Sequence, residues 1–274
     1  MDLAQLEATP SWEWPEDARN RILATLQDAA SDTETRMLAA YLAGDAAVVD
    51  DEMAGALLNA VADPKAAELL RAQAAIALGP ALEHADIMGF DDEEEILISE
   101  DRFEAIQKRL KSVFDDPQTP KEVRRRVLEA SVRAPMGWHA QAVRQAFASQ
   151  DDQWRLTAVF GMQYIEGFET EILACLDDPD PEIHLEAVTA AGSWELEAAW
   201  DHVAALVRGA QTAKDLRLAA IEAAVTIRPE QVQALFDGLL GHEDEEIVEA
   251  VREALAMAEA ILEGDDDDPD EDQD

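Results

Sequence analysis

The chain has 274 residues, 48% apolar and 30% charged, enough to bury a sizeable core. Its 61 acids against 21 Lys and Arg leave a net charge of −40. That charge repels phosphate backbones and anionic lipid, which argues against a general nucleic-acid or membrane-surface binder.

A single cysteine, Cys175, excludes an intrachain disulfide and a four-cysteine metal knuckle. The longest stretch without a charged residue, Ala72 to Leu82, is far short of a membrane span. Residues 1–15 carry acids and no basic segment leading into an apolar run, so no signal peptide is expected and a cytoplasmic protein is.

In chain order, the first fifteen residues read as a capping segment. Trp12 and Trp14 precede Pro15, and their expected role is to cover the open end of a helical stack; a peptide that docks elsewhere is the alternative. From residue 16 to 262 a helical unit recurs. Its anchors are Arg36, Arg71, Arg124, Arg155, His184, Arg217 and Val248, at intervals of 35, 53, 31, 29, 33 and 31. The residue before each anchor is apolar in all but Thr35. Three residues after it stand Ala39, Ala74, Val127, Ala158, Ala187, Ala220 and Val251, on the same helical face. Strand signals are nearly absent.

A second stripe runs one and five residues after the anchors. It holds Met37 and Tyr41, Ala72 and Ile76, Leu156 and Phe160, then Leu185 and Thr189. Facing a groove, it is an apolar partner-binding surface; facing a neighbouring helix, it is core, the simpler expectation.

The 53-residue interval holds an acidic insertion at about 84–99. Met88 to Ser99 reads as a loop, with Ser99 capping the next helix. Beyond it lies a basic cluster of Lys108, Arg109, Lys111, Lys121, Arg124, Arg125, Arg126 and Arg133, near Trp138 and His139. Three readings stand: helical ion pairing of Glu122 with Arg126, Arg125 with Glu129 and Glu129 with Arg133; a seat for an acidic peptide or phosphate; or a seat for Asp91–Glu95 folding back. For the second reading, the partner-binding residues are Arg126, Arg133, Arg124, Trp138 and His139, and the groove candidates are Met37, Tyr41, Ile76, Leu156 and Phe160.

Thr119-Pro120-Lys121-Glu122 predicts a capping box. Ser149 with Asp152 and Thr212 with Asp215 predict weaker ones. Gly44, Gly79, Gly192 and Gly241 are expected to stop helices. Trp154 is expected in the core, Trp194 and Trp200 half-buried. The tail, residues 263–274, has nine acids in twelve residues and is expected to be disordered.

The run Leu176-Asp-Asp-Pro-Asp-Pro-Glu-Ile-His-Leu-Glu-Ala187, repeated at about thirty residues, resembles the short bacterial HEAT repeats also called phycobilisome-lyase-like repeats. The resemblance implies an all-α fold, a right-handed α-solenoid of about seven antiparallel helix pairs. It is unspecific for function. A hydroxylase of this repeat class uses several His-Glu dyads to hold two irons, and only His242-Glu243 is such a dyad here. No hydrolase, Walker or dinucleotide motif occurs.

The expected function is a non-catalytic protein-interaction scaffold or adaptor, not an enzyme, without cofactor or metal, and monomeric alone. A protein partner is expected, an acidic peptide being the specific candidate. A lyase-type enzyme subunit and an acidic decoy for a basic protein are the alternatives. Asp is 30, Glu 31, Arg 16 and Lys 5, so the acidity also resembles that of proteins from saline cytoplasm.

Overall fold

The computed structural model describes residues 1–92 and 95–265. Among them every regular element is helical. The chain divides into two compact units, Met1–Arg144 and Gln145–Asp274.

The first unit opens with α1 (Leu3–Glu7) and then pairs α2 (Ala18–Gln27) with α3 (Thr33–Leu42) and α4 (Asp51–Ala62) with α5 (Glu68–Ile76). After α6 (Gly79–Met88), α7 (Glu100–Asp115) pairs with α8 (Lys121–Ser131). The second helices stack in sequence, α3 on α5 and α5 on α8, which is the HEAT-like pattern of paired helices. The division falls within α9 (His139–Phe147). The second unit continues with α10 (Asp152–Gly161), α11 (Glu169–Cys175), α12 (Pro181–Ser193), α13 (Trp200–Arg208), α14 (Lys214–Ile227), α15 (Val232–Leu235) and α16 (Glu245–Asp265). There α10, α12, α14 and α16 stack in turn. The apolar column becomes the core: Leu70, Val123, Ile183 and Ile247 are buried, and so are Ala39, Ala74, Val127, Ala158, Ala187, Ala220 and Val251. Trp154 is half-buried rather than core.

The anchor arginines have a common task. Arg36 donates from Nε and Nη2 to the Leu26 carbonyl at 3.1 and 3.0 Å, Arg71 from Nε to Val61 at 2.9 Å, and Arg124 from Nε to Phe114 at 2.8 Å. Each acceptor lies ten residues back and one residue before the end of the preceding helix. A helix end leaves carbonyls without intrahelical partners, and a cation there also opposes the helix dipole. Arg217 does the same for the Gly209 carbonyl at 2.5 Å. Arg155 departs from the rule and binds Asp178 at 2.7 Å.

Several caps and stops differ from expectation. Ser99 caps α7 as read from the sequence, and Asp180 caps α12. Thr119 and Thr212 do not cap: Pro120 and Ala213 take the N-cap positions without a side-chain bond, and Asp151, not Ser149, caps α10. Gly192 does not stop α12; it lies inside the helix, where an added Cβ would meet the Ala223 Cα and Cβ at 2.8 Å. It is glycine because α12 and α14 approach too closely for a side chain. Gly79 likewise starts α6 rather than ending α5, with Pro80 following in the first turn.

The insertion is therefore helical as far as Met88. Its far end is tied down by His84 Nε2 against the Glu95 carbonyl at 2.6 Å and by Ser99, whose N–H and hydroxyl donate to the Asp51 carboxylate at 2.8 and 2.7 Å. The expected acidic loop includes residues 93 and 94, which lie outside the described residues. In the tail, α16 runs on to Asp265, past the expected boundary at 263, and residues 266–274 lie outside the described residues. Among the described residues no helix is long and apolar enough to cross a membrane.

Candidate functional site

The N-terminal segment builds a groove in the first unit. Asp2 and Gln5 close a reciprocal capping box that starts α1, and Leu6 buries completely. The indole Nε1 of Trp14 donates to the Leu6 carbonyl at 3.0 Å and the Thr9 carbonyl at 2.8 Å. Trp14 thus staples the segment to α1 and packs against the core of the first unit. Trp12 does not share that role: it stands 83% exposed. Tyr41 at the end of α3 is 57% exposed. Together with Ile76, Trp14, Pro10 and Pro80 they line a groove of about 580 Å³, with Glu7 and Asp45 also in its lining. At its floor a Cβ on Gly44 would come within 2.9 Å of the Ala77 carbonyl oxygen, so the ends of α3 and α5 nearly touch. Flat aromatic faces stack on proline rings and attract guanidinium or ammonium groups, and carboxylates beside them reinforce that preference.

Of the expected groove stripe, Tyr41 and Ile76 are brought together here, so the core reading is corrected at these two positions. Met37, four residues before Tyr41, packs against the core instead. Leu156 and Phe160 lie half-buried on α10 in the second unit, with the Phe160 ring 5.6 Å from Tyr164. A second groove, of about 420 Å³, runs along α12, α14 and α16 and is lined by Thr189, Ser193, Glu222, Glu253 and Met257 among others.

Arg124, Arg125, Arg126 and Arg133 of the basic cluster are held within the chain. Arg126 bonds Glu122 at 2.8 Å and Glu129 at 2.7 Å; Arg125, 2% exposed, bonds Glu122 at 2.8 Å and approaches Glu129 at 3.5 Å. Arg133 reaches Glu83 of α6, where Glu129 was the expected partner. The Glu122 carboxyl is held below its ordinary range by these arginines, against the opposing effect of burial. Arg124 is spent on the end of α7 and packs over the Phe114 ring at 5.1 Å. The placement of His139 as a contact residue is corrected: it is 1% exposed. Its Nδ1 accepts from the Met136 N–H at 2.8 Å, so Nε2 carries the proton and donates to Ser131 Oγ at 3.0 Å. Burial pushes its pKa down to about 4, with Lys111 nearby adding in the same direction. Trp138 stacks on His139 at 3.8 Å and on Phe114 at 5.1 Å, and its buried Nε1 has no hydrogen-bond partner.

His242 of the His-Glu dyad bonds Arg217 and the Asp244 N–H. Among the described residues no group of three or more His, Cys, Asp or Glu side chains is arranged to hold a metal ion.

No protein-family model matches the chain, and no curated protein does. Solved structures do. The E. coli protein YibA is 16% identical, with 93% of this chain and 85% of that one covered and a TM-score of 0.45. Human deoxyhypusine hydroxylase in complex with glycerol is 18% identical, covering 94% and 88%, with a TM-score of 0.42. An engineered protein is 14% identical, covering 90% and 98%, with a TM-score of 0.34. The expectation that the chain is not an enzyme is corrected at this point. An enzyme is among the proteins whose structures match it, at 18% identity and a TM-score of 0.42, which shows neither catalysis nor its absence in this chain.

Proposed function

We propose that this chain is a protein-interaction module, a right-handed stack of helix pairs whose N-terminal groove receives a basic, proline-containing segment of a partner protein. The observation that carries the reading is Trp12. A tryptophan left 83% exposed keeps a large apolar face in water, and its neighbour Tyr41 does the same beside Ile76. Tryptophan and tyrosine are the residues on which binding energy concentrates at interfaces. The chain's net charge of −40, with Glu7 and Asp45 at the groove itself, favours and steers a cationic segment. Arg126 and Arg133, by contrast, hold carboxylates of their own chain, and an acidic peptide would have to displace them.

The test is a fluorescence and calorimetric titration with a short peptide alternating proline and arginine, alongside one in which glutamate replaces arginine. The expected result is saturable binding of the first alone, weakened by salt and lost in both Trp12→Ala and Tyr41→Ala. Equal binding by wild type and Trp12→Ala would remove the basis of the reading.

A further inference from the structure

In the second unit, His184, which stands in the anchor column held by arginine in five other repeats, faces a second histidine, His202. His184 lies in the first turn of α12 and His202 in the first turn of α13, and their Nε2 atoms are 2.8 Å apart with the rings inclined at 63°. Two ring nitrogens at that separation cannot both carry a proton: one donates and the other accepts. On the far side of His202, Asp177 places Oδ1 3.7 Å from Nδ1.

We propose that His184 and His202 bind one divalent first-row transition-metal ion, zinc being the reference case, in place of the proton they share. The chemistry favours this class of ion. Imidazole nitrogen suits zinc, nickel and copper, whereas magnesium and calcium select oxygen. Each Zn–N bond is about 2.0–2.1 Å, so a tetrahedral ion needs the two nitrogens roughly 3.3 Å apart. That is about half an ångström beyond the present separation, within reach of small ring rotations. The His202 side chain is 25% exposed and His184 is half-buried, so solvent reaches the pair and water completes the coordination shell. Asp177, whose Oδ1 lies 3.7 Å from Nδ1 and beyond hydrogen-bond distance, adds negative charge beside His202. The strongly negative chain raises the local concentration of any cation.

Zinc chloride titrated calorimetrically into the full chain, in excess magnesium to occupy loose carboxylates, tests this. One tight equivalent is expected in wild type and in His242→Ala, and none in His184→Ala or His202→Ala. Copper(II) electron paramagnetic resonance on the unmodified chain gives a readout that does not depend on the variants folding. Coupling to two imidazole nitrogens is expected; a spectrum of oxygen ligands alone would overturn the assignment. So would the absence of a stoichiometric zinc site, or its survival in both histidine variants.

Discussion

Replacing Arg71 by methionine keeps most of the side-chain stem and removes only the head that holds the end of α4. Arg71 is 6% exposed and the Val61 carbonyl it serves belongs to a residue with no exposure. Water therefore does not replace the lost donor without a rearrangement of the helix pair. A hydrogen bond from a charged group contributes about 1.5–3 kcal/mol, and a buried carbonyl left without a partner costs a similar amount, so the expected loss is about 2–3 kcal/mol. For a chain of this size that lowers the melting temperature by roughly 3–6 °C. The assay is thermal unfolding followed by circular dichroism, with Arg252→Met as the control. Arg252 is 63% exposed and pairs only with Glu249 one turn away, so its removal should change stability by no more than about 0.5 kcal/mol. If Arg71→Met melts with the control, the shared arginine position is a surface habit of the repeat, not a fastening of each helix pair.

Gly192→Ala should destabilise by about 1–3 kcal/mol despite the better helix propensity of alanine, because its Cβ falls 2.8 Å from Ala223; Gly137→Ala, with open space around it, should be neutral, and paired melting curves check both. His139 is neutral when folded, with its pKa pushed down to about 4 from an ordinary value of 6.5. Its contribution is therefore complete above pH 6.5 and is lost as the pH falls toward 4, where the unfolded chain binds the proton more readily. The stability difference between wild type and His139→Asn should shrink across that window, and parallel pH profiles would contradict the assignment. Reversing charge at Arg126 and Arg133 together should lower stability by about 2–4 kcal/mol, since Glu129 is 6% exposed and would face a like charge; unchanged denaturant midpoints would show these ion pairs to be fully solvated.

The sequence by itself determined the helical class, the positions of the second helices and the residues that face the core. The reason is local: small and branched apolar residues three and four apart make one face of a helix, wherever that helix ends up. The repeated arginine was legible as a position, but its purpose was not. The carbonyl it caps is ten residues away, and only the antiparallel return of the chain brings the two together. The structure likewise reassigned Gly192, whose glycine answers to the approach of α14 and not to its own backbone. Three readings of the basic cluster stood open in the sequence, and the partner of Arg133 was misplaced among them because Glu83 is fifty residues earlier on α6. Tyr41 and Ile76, 35 residues apart, became one groove, and of the two neighbouring tryptophans Trp14 was fastened to α1 while Trp12 was left exposed. Exposure, pairing and convergence of this kind arise from contacts between distant segments, which a one-dimensional pattern does not contain.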